Sequence, residues 1–147
     1  MRKFEIVSTY LNNNLSLPER MTKNSAGYDI KSSRETIIHP QEIVLVPTGI
    51  KASFPKNEVL LIYPRSSIPI KLGLIIPNGV GVIDSDYYNN SNNEGEIFIP
   101  FLNITKKDVI IEKDFRIAQA IFTKFYLTDV DEKNKKERTD GFGSSGL

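Results

Sequence analysis

Four short stretches of this chain carry side chains suited to handling phosphate and water. Residues 25–30, SAGYDI, set a carboxylate, Asp29, just after a glycine turn. Residues 63–68, YPRSSI, end an apolar run at a proline and follow it at once with Arg65, Ser66 and Ser67. A guanidinium beside hydroxyls and free backbone N–H groups is a natural cradle for phosphate, although taken alone the stretch reads equally well as a capped turn. Residues 78–90, NGVGVIDSDYYNN, supply glycines for a tight backbone and then two carboxylates, Asp84 and Asp86, behind an apolar Val-Ile pair. A carboxylate at a strand end can take a proton from water, although acids there are more often plain turn formers. The fourth stretch, RTDGFGSSG, places Arg138 and Phe142 among small residues, and its composition alone reads as a fraying tail. The single histidine, His39, adjoins Pro40 and reads as structural or surface.

The elements that must hold these side chains are short. Apolar residues gather at 4–7, 36–38, 43–46, 59–63, 97–102 and 109–111, and Ile, Val, Phe and Tyr dominate. Such runs suit a pleated, half-buried surface, and Pro18, Pro40, Pro47, Pro55, Pro64 and Pro77 punctuate the gaps between them. An all-β sandwich or barrel follows. Residues 115–126, FRIAQAIFTKFY, fit either a helical period or alternation of Phe115, Ile117, Ile121 and Phe125, and the neighbouring strands favour alternation. Residues 84–96, DSDYYNNSNNEGE, hold four asparagines and no aliphatic side chain, which predicts a surface loop. Residues 1–128 then form one β domain. Residues 129–147 form a tail too poor in apolar side chains to order itself, expected to be mobile until something binds.

Composition excludes several classes of function. A chain of 147 residues makes one domain, and 19 basic against 18 acidic residues leave a net charge of +1, too little to hold a long nucleic acid. The absence of cysteine removes disulfides, thiolate metal sites and cysteine nucleophiles, and one histidine cannot form a three-histidine zinc site. No stretch approaches the roughly 18 apolar residues of a membrane span, and the start MRKFEIVSTYLNNN has no unbroken apolar core of a signal peptide, so a cytoplasmic protein is expected.

Taken together, the order and spacing of the stretches resemble the trimeric deoxyuridine triphosphatases, the dUTPase family, most like its bacterial and phage branch. The five motifs run Ala26-Gly27-Tyr28-Asp29, Pro64-Arg65-Ser66-Ser67, Gly81-Val82-Ile83-Asp84-Ser85-Asp86-Tyr87, Arg116-Ile117-Ala118-Gln119, and Arg138 through Gly146. The resemblance spans nearly the whole chain. It implies a distorted jelly-roll-like β-barrel or sandwich with a flexible C-terminal arm, assembled as a homotrimer with shared sites. It also implies hydrolysis of dUTP to dUMP and pyrophosphate, which keeps uracil out of DNA and supplies dUMP for thymidylate synthesis.

The same resemblance assigns roles. Asp84 matches the general base that aligns a water for attack on the α-phosphorus, and Tyr87 the ring that packs on deoxyribose and leaves no room for a 2′-hydroxyl. Asn78 and the backbone of the following hairpin, Gly81 and Ile83 included, match groups that read the uracil edge. Arg65, Ser66 and Ser67 match phosphate contacts from a neighbouring subunit, and Gln119 a further phosphate-side contact. Asp29 matches an acid near the metal and phosphate shell. Phe142 matches the ring stacked on the base, while Arg138, Gly143 and Ser144 belong to the motif that closes on the γ-phosphate. Mg2+ is implied on the triphosphate, held mainly by substrate oxygens and water. Arg65, Arg116 and Arg138, drawn from different subunits, would then bind the polyanion locally.

Three residues depart from the family pattern: Pro69 and Asp140 where glycine is usual, and Pro77 where a small residue is common. Pro69 removes an N–H beside the phosphate loop, and Asp140 adds negative charge near the expected γ-phosphate. The related dCTP deaminases place a general-base glutamate three residues before an asparagine. Here that asparagine is Asn103 and the position holds Pro100, which moves no protons. The remaining alternative is a regulatory protein of the same fold that engages a protein partner through residues 84–96.

Overall fold

The computed structural model describes residues 1–131. The expected tail beyond Asp131, and with it Arg138, Asp140, Phe142, Gly143 and Ser144, lies outside the described residues. Eleven strands form among the described residues. They are β1 (Lys3–Ile6), β2 (Tyr28–Lys31), β3 (Thr36–Ile38), β4 (Ile43–Pro47), β5 (Ile50–Ser53), β6 (Glu58–Pro64), β7 (Leu74–Ile75), β8 (Gly81–Asp84), β9 (Phe98–Asn103), β10 (Val109–Ile111) and β11 (Arg116–Lys124). All six apolar bursts became strands, β3 and β10 at the residues expected. Five strands lay outside the bursts: β11, in the segment 115–126, and β2, β5, β7 and β8, each of four residues or fewer. No helix among the described residues is long and apolar enough to cross a membrane.

The pairing is antiparallel throughout. A four-stranded sheet runs in the order β2-β11-β6-β8 and a three-stranded sheet in the order β4-β9-β7, with β1-β5 and β3-β10 as two-stranded ladders. One core lies between them, with Ile30, Leu60, Ile99, Phe101 and Ile117 wholly buried. Strand alternation supplies these side chains. In β9, Ile99 and Phe101 point inward while Phe98, Pro100 and Leu102 stay half-exposed. At the inner end of β9, the Asn103 side chain is satisfied by donating to the carbonyls of Ile38 and Lys107, each at 2.8 Å.

Within residues 115–126 the strand runs Arg116–Lys124, but of the expected alternating set only Ile117 is buried. Between Arg116 and Ala118, β11 gains a residue relative to β2, so Arg116 lies opposite Lys31 while Ala118 lies opposite Ile30. Such a bulge reverses the alternation beyond it. Ile117, Ala118 and Ala120 are fully buried and Phe122 packs on the core, whereas Phe115 and Phe125 are 41% and 40% exposed. The bulge also turns Arg116 to the face carrying Asp29 and Gln119, away from the core.

The expected loop at residues 84–96 forms and most of it is exposed or half-exposed, but part of it turns inward. Tyr87, Asn90, Gly95 and Glu96 are buried. Its asparagine side chains replace a missing strand ladder by bonding to backbone within the segment, which lets so polar a stretch pack inward.

Candidate active site

Asp29, Gln119 and Tyr63 form one row across the four-stranded sheet, since β2 pairs Asp29 with Gln119 and β6 pairs Tyr63 with Gln119. Cross-strand partners share a face, and the buried neighbours Ile30, Ala118 and Ile62 occupy the other. Asp29 accepts from Arg116 Nη1 at 3.2 Å, and Arg65 Nε lies 3.4 Å from the same Oδ2. Two guanidinium groups thus share one carboxylate, which leaves a net positive corner with donors to spare. Arg65 is held where β6 stops: its carbonyl accepts from the Ile68 N–H at 2.9 Å, opening a π-helical turn over Ile68–Leu72. Pro69 sits in the first turn, where a helix leaves its N–H groups without partners, so the departure from glycine costs no internal bond there.

Met21, Ser25, Ala26, Gly27, Asp29, Arg65, Ser66 and Gln119 line a cavity of about 310 Å3. Gly27 leaves room for this wall: a Cβ there would stand 2.5 Å from Gln119 Oε1 and 3.0 Å from Gln119 Cβ, so the glutamine would have to shift. The Gln119 amide also donates to the Pro64 carbonyl at 3.4 Å. Of the expected phosphate ligands, Ser67 does not line the cavity. Arg65 and Arg116, expected from different subunits, converge within one chain. Met21 was missed, with nothing in its residue type to mark it, and Ser25 lay within the stretch 25–30 but was given no role. A second hollow, about 480 Å3 between Lys71 and residues 105–110, holds none of the expected site residues.

The other expected residues lie elsewhere on the same sheet. Asn78, Gly81, Ile83 and Asp84 follow the hairpin into β8, whose register sets Gly81 opposite Ile62 and Asp84 opposite Val59. Gly81 is fixed by packing, for a Cβ would come within 2.9 Å of the Ile62 side chain. Arg65 follows Val59 by six residues, which at ~3.3 Å per strand residue separates Asp84 from the cationic corner by roughly 20 Å. Asp84 is exposed at the strand end, and a 3-10 turn over Ser85–Tyr87 follows it.

Tyr87 is only 4% exposed. Its hydroxyl donates to the Glu96 carbonyl at 2.6 Å and accepts from the Asn93 amide at 2.8 Å. The far side of the segment is fastened to the body. Tyr88 donates to Glu5, Lys51 reaches Asn89 and Glu94, and Glu94 accepts from the Ser8 N–H and hydroxyl. The Ser8 bonds hold the Glu94 carboxyl below the usual carboxylate range. Burial pushes the Glu96 carboxyl the other way, against the Gly49 N–H it accepts at 3.0 Å. None of these bracing asparagines was picked out from sequence.

No group of three or more His, Cys, Asp or Glu gathers as a metal site among the described residues. Asp29 is the one carboxylate on the cavity wall, and its Oδ2 already faces two guanidinium groups. These donors do not fit an all-protein cation cage; they do fit a hard cation that arrives on phosphate oxygens with its own water.

The dUTPase family model matches residues 13–146, which takes in the cavity wall and β8 alike. The chain is 49% identical over 147 residues to the deoxyuridine 5′-triphosphate nucleotidohydrolase of Lactococcus lactis, covering 99% of this chain and 98% of that one. The corresponding enzyme of Rickettsia canadensis is 41% identical, covering 90% and 89%. Among solved structures, the dUTPase of Streptococcus mutans superposes with a TM-score of 0.82 at 49% identity, covering 86% of this chain and 98% of that one. A dUTPase from Staphylococcus aureus phage phi11 shares the fold at a TM-score of 0.75 and 23% identity. With its motifs, its all-β architecture and its whole length in agreement, the chain belongs to the dUTPase family.

Proposed function

We propose that this chain is a cytoplasmic dUTP diphosphatase, which hydrolyses dUTP to dUMP and pyrophosphate. The observation that carries the reading is full-length similarity to an enzyme of that name with Asp84, Arg65 and Gln119 all present. Asp84 takes a proton from water as the water oxygen attacks the α-phosphorus. The bond from that phosphorus to the bridging oxygen breaks and pyrophosphate departs. Preorganised cations at the phosphates stabilise the charge that builds there. Arg65, Ser66 and Gln119 supply that environment, and Ser67 joins them by the family resemblance. Asp29 acts as an anchor for Arg65 and Arg116, keeping both guanidinium planes in place. Asn78 and the backbone at Gly81 and Ile83 read the uracil edge, and Tyr87 walls off the sugar. Arg138, Phe142, Gly143 and Ser144 complete the site by the family resemblance. Mg2+ bound to the triphosphate oxygens would share the negative charge.

The roughly 20 Å between Asp84 and Arg65 supports a site completed between copies. An apolar outer face supports the same reading. Ile43 and Leu45 on β4 are 57% and 46% exposed, and they stand opposite Leu102 and Pro100 on β9. A contiguous apolar patch of this kind suits a partner surface, and a closed threefold ring of identical chains would bury it three times over.

The test is product analysis with magnesium across dUTP, dCTP, UTP and dTTP. Pyrophosphate and dUMP from dUTP are expected, with UTP and dTTP poor substrates. Ammonia from dCTP, or no pyrophosphate from dUTP, would overturn the reading. Truncation before Arg138 is expected to cripple turnover while leaving the β domain folded.

A further inference from the structure

The asparagine-rich segment after β8 carries a hydrogen-bond chain whose direction is fixed from end to end. The Gly95 N–H donates to Asn93 Oδ1 at 2.9 Å, so that atom must be the amide oxygen and Asn93 Nδ2 must face the other way. There it donates to the Tyr87 hydroxyl at 2.8 Å. The hydroxyl can give its own proton only to an acceptor, and the Glu96 carbonyl takes it at 2.6 Å. Behind Asn93, the Asn90 amide donates both to Asn93 Oδ1 and to the Tyr87 carbonyl, each at 2.8 Å. Tyr87 is therefore gripped at its backbone and at the tip of its ring, and Tyr87, Asn90 and Glu96 are all at least nine-tenths buried. Chained bonds in a low-dielectric setting polarise one another and resist the loss of any one link.

We infer that Asn93 is a positioning residue that sets sugar specificity by holding the Tyr87 ring rigid through its hydroxyl. This rests on the proposed dUTPase activity and on Tyr87 as the wall beside deoxyribose. A wall excludes one extra hydroxyl only if it cannot yield by a few tenths of an ångström, and a ring fixed at one end can pivot where a ring fixed at both cannot. Asn93 touches neither sugar nor phosphate in this role; it acts through Tyr87.

The experiment measures the ratio of kcat/KM for UTP to that for dUTP. A change in the folded fraction cancels in this ratio, so a merely structural defect leaves it unmoved. Asn93→Asp keeps an oxygen for the Gly95 N–H and the Asn90 amide but deletes the donor to Tyr87. Tyr87→Phe deletes the hydroxyl and leaves Asn93 intact. Each variant is expected to raise the ratio about tenfold, and the double variant no further, because both remove the same link. An unchanged ratio in Asn93→Asp overturns the inference, as does a double variant whose effect is the product of the two singles. Absence of dUTP turnover in the unsubstituted protein would instead overturn the activity on which the inference rests.

Discussion

The corner at Asp29 and the segment after Asp84 solve opposite problems. The corner gathers charge at the partly open end of three strands, where two guanidinium groups share one carboxylate and the side chains remain 11% to 38% exposed. The segment gathers neutral amides, turns them inward and buries a tyrosine among them. Charge left near water keeps its solvation and stays free to meet a charged ligand, whereas a buried polar network holds only if its members are bonded to one another. The corner is built to receive an anion and the segment to hold a shape. They stand at opposite ends of β6.

The largest effect should come from the edge of the shaped region. Asp84→Asn is expected to cut turnover by about 10²–10⁴-fold, the range for a lost general base, with nucleotide binding retained in titrations. A preserved rate would assign the base elsewhere. Arg65→Ala should fail differently, raising KM for dUTP by weakening the phosphate corner. Copies of the two variants, unfolded and refolded together, then test whether the regions meet across chains. Random trimers should regain about a quarter of the full activity, the fraction of sites drawing each half from an intact donor. A mixture no better than its parts would break the comparison.

A smaller effect is expected inside the charged corner. Gly27→Ala drives a methyl group into Gln119, a flexible side chain that can swing away, so KM should rise severalfold with kcat less affected. Stability should fall by only about 1 kcal/mol in denaturant titration. A large loss of stability would mean the wall cannot adjust.

The smallest effect concerns the buried segment. Burial raises the Glu96 carboxyl, so between its unfolded and folded pKa values the folded chain holds more protons than the unfolded one. Stability from this group therefore falls as pH rises through that window. Glu96→Gln keeps an acceptor for Gly49 without the buried charge. Its melting temperature should exceed that of the unsubstituted protein at neutral pH and converge with it below the ordinary carboxylate range. No difference at neutral pH would mean that the Gly49 N–H, with the positive charge of nearby Arg34, compensates for the burial.

Much of this is legible in the sequence. The bursts at 36–38 and 109–111 became strands unchanged, because side-chain alternation and proline punctuation are local signals. β7 and β8 were harder to see, being two and four residues long and held by pairing with distant strands. The inward face of β11 was misread because one bulge at Ile117 reverses parity and leaves no mark in residue types. Residues 84–96 read as solvated from their polarity, yet their asparagine side chains bond to one another and to nearby backbone, which lets part of the segment pack inward.

By itself, the sequence determined the chemistry and the class of fold: the residue types at Asp84, Arg65 and Gln119, the spacing that marks the family, and strand-length apolar runs. These are properties of neighbours along the chain, where a few residues suffice to state a preference. Tertiary structure alone decided that Arg65 and Arg116 meet on one carboxylate, that Asp84 stands about 20 Å away at ~3.3 Å per strand residue, and that Tyr87 is clamped at both ends. Those outcomes depend on register, on a bulge and on bonds closed across the fold, which residues fix only after the strands have found their partners.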